Sequence, residues 1–339
     1  MSAIHRKLLA WYRNHARTLP WRENRDPYRV WLSEIMLQQT RVEAVIPHYQ
    51  RFLSHFSTVE DLASAPEEKV LNLWAGLGYY SRARNLHAAA RMVMACHGGR
   101  FPTDYGSLLA LPGVGHYTAS AVASIAGDAA LAAVDGNLER VISRLLALRK
   151  NPKKEGRQIV AGFAQSLAEL GEAGSVNQAF IDLASGVCLP KNPRCDSCPL
   201  NAACAARKEG VQGEIPVRMP KGEKIHLRGE GALLLVRGEI LLARRPKGAW
   251  LEGMLDIPWW TEPARKLPWK PGREHRQVRH ITKHRIDFLV RGYELSRKPR
   301  NLEKVLGRHG EQFEWVRVED LAGIQLPRPT ERAIEGILR

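Results

Sequence analysis

The chain has no apolar run near the ~20 residues needed to cross a bilayer, so a helical membrane span is not expected. It has no internal repeat and no low-complexity tract of consequence, and neither a solenoid nor a compositionally biased disordered chain fits. Residues 1–17 lack a continuous apolar core followed by a small-residue cleavage site, and a secretory signal is not expected. They read instead as an amphipathic helix with Ile4, Leu8, Leu9, Trp11 and Tyr12 on one face and basic residues on the other. Cysteine is sparse and uneven: of five, four lie between Cys188 and Cys204, and Cys96, standing alone, is expected to be a small buried hydrophobe. In an intracellular context such clustering speaks for metal before disulfide. Acidic residues are in deficit as well, 35 against 51 Lys and Arg, giving a formal charge of +16. That surplus says little about fold and points to partners, nucleic acid first and an anionic membrane second.

What is present is ordinary for a globular protein, 44% hydrophobic over 339 residues. That length suits two domains of ~100–200 residues. Apolar residues at helical intervals predict helices over 28–39, 42–55, 59–63, 66–74, 82–96, 105–110, 117–126, 138–148, 158–170 and 176–185. Residues 205–230, rich in charge, Gly and Pro, read as a linker. Beyond them the pattern turns strand-like: 232–236 and 240–244 flank a turn at Arg237-Gly238-Glu239, and 286–290 and 313–316 alternate. Residues 319–322 and 330–338 look helical, so the second domain is expected to be α+β.

Chemistry concentrates at a few places. Leu111-Pro112-Gly113-Val114-Gly115-His116-Tyr117-Thr118 is a tight turn between two predicted helices, where Gly113 and Gly115 allow unusual φ and close backbone approach. Such a turn grips phosphate through the main chain, Gly113, Val114 and Gly115 included, and binds DNA without reading sequence. Asp135 follows in Val134-Asp135-Gly136-Asn137, with Asn137 as a candidate N-cap. An acid there is either no more than a capping residue or, kept ionised by the same helix end, a partner for a developing cation. Gly76-Leu77-Gly78-Tyr79-Tyr80 leads to Arg82 and Arg84, aromatics and cations able to wedge into or stack on bases, or else to anchor the core. Glu34, by itself, is a single acid on a helix and reads as a solvated charge. The spacing Cys188-x6-Cys195-x2-Cys198-x5-Cys204 accepts zinc or a [4Fe–4S] cluster, and one central pair with flanking singles fits a cluster better. Lys191 and Arg194 ride on that loop, held toward phosphates or merely solvated.

Taken together, the turn, Asp135 and the cysteine spacing resemble the helix-hairpin-helix DNA glycosylases over about residues 1–205. Ser33 to Thr40, Gly76 to Tyr80 and Val134 to Asn137 are similar to the adenine DNA glycosylase (MutY) family, and the later domain extends the match to nearly the whole chain. The resemblance implies a helix-hairpin-helix domain over 1–205 with one [4Fe–4S] cluster per chain at 188–204, a linker over 206–229 and a Nudix-like lesion-recognition domain over 230–339. It gives Glu34 a catalytic role, against its reading as a lone acid. The sibling endonuclease III family carries in the hairpin helix a lysine that attacks the sugar; here Tyr117 stands there, and no imine can form.

The implied reaction is hydrolysis of adenine mispaired with 8-oxoguanine or guanine in double-stranded DNA, by a monomer with no membrane partner. Glu34 would protonate adenine and Asp135 would stabilise the cationic sugar, with Tyr117 and Asn137 orienting them. Gln178 would contact the extruded base, while Gln39, beside Thr40, and Tyr79 fill and wedge the vacated duplex. The family's Phe-Ser-His lesion-reading loop falls on Thr282, Lys283 and His284, a departure at two positions. Lys283 can only donate, so an acceptor for the oxidised purine must come from Thr282 or the main chain. No Nudix metal-binding box is present in 262–280, which argues against pyrophosphate hydrolysis. Two rivals remain: a pyrimidine-lesion glycosylase of the endonuclease III kind, and a non-catalytic iron–sulfur DNA-binding or redox-sensing protein.

Overall fold

Local signals set many of the helix limits. Asp26 accepts from the Arg29 amide and Pro27 supplies the first helical φ, so a helix starts at this Asp-Pro pair. Thr58 and Asp61 close a capping box, and Gly98, at φ +58°, ends the longest helix. The computed structural model describes residues 1–217, 224–246, 248–261, 265–281, 283–308, 311–324 and 326–339. The chain divides into two units, Met1–Met219 and Pro220–Arg339.

In the first unit the α-helices are α1 (Ser2–His15), α2 (Pro27–Leu37), α3 (Val42–His55), α4 (Val59–Ser64), α5 (Glu67–Leu73), α6 (Tyr80–His97), α7 (Tyr105–Ala110), α8 (His116–Ala126), α9 (Gly136–Leu145), α10 (Arg157–Ala168), α11 (Ala173–Gly186) and α12 (Ala205–Lys208). Two apolar clusters hold them. One gathers Trp31, Met36, Phe52, Trp74 and Leu86 around α2, α3 and α6. The other joins Leu8 of α1, Ile142 of α9, and Phe180 and Leu183 of α11. Each fully buried side chain of this size contributes about 1.5–3 kcal/mol, enough to fix how the helices abut. α2 packs on α8, and α11 on both α8 and α9, which brings the two clusters side by side. Cys96, in α6, is exposed and not the buried hydrophobe expected.

The expected linker over 206–229 is narrower than its composition suggests. Ala206 and Ile215 are buried, α12 packs on α9, and Arg144 donates to the Ile215 carbonyl at 2.9 Å. Two small apolar anchors among many charges were enough to tie the segment down, and β1 already begins at Ile225.

The second unit is α+β, as expected. Its strands are β1 (Ile225–Val236), β2 (Glu239–Arg244), β3 (Leu255–Asp256), β4 (Trp259–Thr261), β5 (Glu274–Ile281), β6 (His284–Glu294) and β7 (Gln312–Arg317), with helices α13 (Leu302–Leu306) and α14 (Arg328–Leu338). They form one sheet in the order β3-β2-β1-β6-β5, with β4 on β1 and β7 on β2. β1 and β6 run parallel and the other pairs antiparallel. The β1–β2 hairpin turns through Arg237 and Gly238, both at positive φ, a twist that suits a two-residue loop. Both faces of the sheet are covered. Leu233, Ile240 and Leu242 cluster with Ala333, Ile334 and Ile337 of α14. Leu234 and Leu241 cluster with Leu306 of α13. Side chains alternate with period two, so successive residues serve opposite layers. Buried Asp256 accepts from Arg279 at 2.9 Å and Trp259 at 3.0 Å, and from the Thr330 hydroxyl, tying β3 to β5 and α14.

Candidate active site

A cavity of about 490 Å³ opens between the two clusters of the first unit. Glu34, Gln39, Thr40, Tyr117, Asp135, Asn137 and Gln178 all line it, so seven residues scattered over nearly 150 positions meet at one place. Glu34 reaches it from α2, a helix whose side chains are buried almost all the way round. It is therefore no solvated surface charge: burial pushes its carboxyl from the ordinary 4.5 up to about 7. The Tyr117 hydroxyl donates to it and pulls the other way, as does nearby Arg22, while Asp135 adds to the rise. Tyr117 itself is held well above its ordinary value by burial and by the two acids, so it stays protonated and acts as a donor.

Asp135, not Asn137, is the N-cap of α9. Its Oδ1 accepts from the amides of Asn137 and Leu138, both at 2.9 Å, and its Oδ2 from the Asn137 side chain at 2.7 Å. Asn137 falls two residues past the cap position, because α9 starts at Gly136. Its own oxygen accepts from Arg140, whose guanidinium also donates to the carbonyls of Ala184 and Cys188.

Several contributors carry no local signal. Tyr12 donates to the Gln178 side-chain oxygen at 2.9 Å, which turns the amide nitrogen free for a ligand. Asp182, buried on α11, accepts from both Arg17 and Arg22 and fixes the segment that lines the cavity's far side. Each pair is about 160 residues apart, and only charge complementarity at helix spacing could have hinted at it.

At the rim, Gln39 and Tyr79 both adopt left-handed backbone conformations, at φ 58° and 49°, which costs about 1–2 kcal/mol for a residue with a side chain. Tyr79 does not line the cavity; it projects outward, 59% exposed. Arg82 explains how both strained turns are held. Buried beneath them, it donates to the carbonyls of Ile35, Met36, Gln38, Leu77 and Gly78 and to the Thr40 hydroxyl. Of the two readings of this motif, core anchoring is the one that holds for Arg82, an internal brace, and Arg84 pairs with Glu67 at 3.4 Å.

The hairpin turn sits between α7 and α8. Gly113 has φ +76°, and a Cβ there would stand 2.7 Å from that of Asn85. Gly115 is different: its φ is −98° with open space around it, so only Gly113 needs glycine's freedom. Val114 is buried beneath the turn.

Cys188, Cys195, Cys198 and Cys204 line one small cavity against Val141, Leu145, Leu183, Val187 and Leu200. Arg144, buried beside them, donates to the Cys188 sulfur at 3.3 Å and to the carbonyls of Leu189 and Pro190. Burial raises the Cys198 thiol to about 11. Among the described residues no three His, Cys, Asp or Glu side chains form a group that could hold a single metal ion. Lys191 and Arg194 are exposed on the loop.

In the second unit, Thr282 lies outside the described residues. Lys283 is exposed and its carbonyl accepts from the Ile225 amide at 3.1 Å, so that main-chain acceptor is already engaged. His284 opens β6 with its ring 4.7 Å from that of Trp250.

The family description "HhH-GPD superfamily base excision DNA repair protein" matches residues 32–164. The adenine DNA glycosylase of Homo sapiens is 43% identical over 225 residues, 63% of this chain and 41% of that protein. The adenine DNA glycosylase of Buchnera aphidicola (subsp. Schizaphis graminum) is 27% identical over 343 residues, 97% of this chain and 96% of that one. Among solved structures, a thermostable thymine-DNA glycosylase superposes with TM-score 0.56 at 28% identity, over 61% of this chain and 96% of the other. The chain spans about half the length of the first curated relatives it matches.

Proposed function

We propose that the chain is a member of the adenine DNA glycosylase family of the HhH-GPD superfamily and that it removes adenine mispaired with 8-oxoguanine or guanine from double-stranded DNA, a reading supported by the similarities above. The observation that carries the reading is the pair of carboxylates in unlike surroundings. Glu34 is buried with its carboxyl raised to about 7, whereas Asp135 accepts three hydrogen bonds at a helix N-terminus. Such pairs divide labour into an acid and a stabilising anion.

The adenine leaves only if its ring accepts a proton as the C1′–N9 bond breaks. Glu34 gives that proton to N7, the bonding pair goes to the base, and the sugar becomes an oxocarbenium ion facing Asp135. Water then adds at C1′ and its proton returns to Glu34. Tyr117 orients Glu34, Asn137 orients Asp135, and Gln178 offers its amide to the extruded base. Gln39 and Thr40 at the rim and exposed Tyr79 fill the gap left in the duplex, at a flipping cost of a few kcal/mol. Gly113, Val114 and Gly115 would grip backbone phosphate, with Lys191 and Arg194 adding charge.

The four thiols suit a [4Fe–4S] cluster in donor chemistry, since all four face one apolar cavity with a buried arginine to offset thiolate charge. Bound there, the cluster would supply a rigid tether for the loop and one-electron redox chemistry, neither of which the hydrolysis uses. The second unit, a sheet covered on both faces, supports the Nudix-like lesion-reading role, with Lys283 and His284 as its described recognition residues. We place the enzyme in the cytoplasm at the nucleoid, acting as a monomer. Glu34→Gln tests the assignment: it should bind an A:8-oxoguanine duplex and release no adenine, and retained excision would remove Glu34 from the acid role.

A further inference from the structure

A second cavity of the first unit, about 400 Å³, shares Tyr117 with the catalytic one. His116, Ser120, Glu139, Lys153 and Arg157 also line it. Two helices begin there. His116 is the first residue of α8 and Arg157 the first of α10, and neither start has a side-chain cap. Their leading amide N–H groups and dipoles therefore favour an anion. Lys153 and Arg157 are exposed and form no ion pair among the described residues. An independent mark of a missing ligand is Ser120. The residue is only 8% exposed, it lines this cavity, and no hydrogen bond ties its hydroxyl to the described residues, which leaves that oxygen open to the cavity.

We propose that this cavity is a second phosphate seat, separate from the turn at Gly113, that takes the DNA backbone phosphate beside the extruded nucleotide. The inference rests on the DNA reading above. The shared Tyr117 wall puts the seat next to the reacting sugar, and one phosphate held there by Lys153, Arg157 and the Ser120 hydroxyl fixes the nucleotide's backbone while its base swings into the catalytic cavity. Glu139 stands in the same cavity with the opposite charge. It competes with the phosphate for the two cations and weakens the grip, which eases release of the abasic product.

The test uses the full chain and a duplex carrying a tetrahydrofuran abasic analogue, which cannot react. Lys153→Ala/Arg157→Ala should raise Kd roughly tenfold at about 0.1 M salt and lower the slope of log K against log salt by about one to two. Glu139→Gln should lower Kd. A single neutral methylphosphonate beside the analogue should weaken binding of the natural chain and weaken the double variant no further. Unchanged Kd in the double variant, or methylphosphonate losses that simply add, would overturn the seat. Adenine release from an A:8-oxoguanine duplex, run on the same preparations, separates the two readings. Release with unchanged Kd sinks the seat alone; the expected coupling without release sinks the base assignment alone.

Discussion

The Tyr117 hydroxyl donates a hydrogen bond to the Glu34 carboxyl, pairing a residue of α8 with one of α2 at the wall of the cavity that both line. The bond favours the ionised carboxylate, so it restrains a pKa that burial drives up to about 7. In the proposed reaction a tyrosine here tunes the acid, whereas a lysine would attack the sugar. Tyr117→Phe should therefore move the alkaline limb of the single-turnover pH–rate profile upward, by roughly one unit. A limb that stays in place would assign it to a group other than Glu34.

Burial of Glu34 has a stability consequence whose sign is fixed. Its carboxyl sits near 7 when folded and at 4.5 when unfolded, so the folded state holds on to a proton that the unfolded state releases. The neutral form's advantage is complete below pH 4.5 and is lost as pH rises toward 7. Glu34→Gln should thus be more stable than the natural chain above pH 7, by on the order of 3 kcal/mol, with the difference vanishing below the unfolded value. Denaturant midpoints across this range measure it; equal stabilities at both ends would mean the carboxyl is solvated.

Asp135 both caps α9 and faces the cavity, and two substitutions separate these roles. Asn caps as well as Asp, so Asp135→Asn should keep its melting point while base release falls by about three orders of magnitude. Asp135→Ala should lose the same activity and, in addition, about 1 kcal/mol of stability. Activity of the Asn variant near the natural level would leave Asp135 with capping alone.

The purified protein should be brown and carry about four iron and four sulfide per chain. Cys198→Ser should lower both and loosen residues 188–204 to proteolysis. A colourless protein with one zinc per chain would replace the cluster with a single ion.

The helices of the first unit were legible because apolar spacing and caps are local, as at Asp26-Pro27. Glu34 was not. A lone acid on a helix looks solvated, and only its resemblance to a known motif placed it among the catalytic residues. Arg82 stayed open between stacking on bases and anchoring the core for a related reason: its six acceptors come from two separate turns, so nothing near it in sequence marks it as a brace. Tyr12, Arg22 and Asp182 depend on α1 and α11 meeting, a contact that no periodicity reports. The segment after Cys204 looked free because charge dominates its composition, while buried Ala206 and Ile215 and the Arg144 bond to the Ile215 carbonyl anchor its described part.

The most direct measurement is base release and strand cutting on A:8-oxoguanine, A:G and A:C duplexes at one salt concentration. The account predicts adenine release fastest opposite 8-oxoguanine, with strand breaks appearing only after alkali and no borohydride-trapped adduct. Release of a pyrimidine instead, strand cutting without alkali, or binding with no release from any duplex would contradict it.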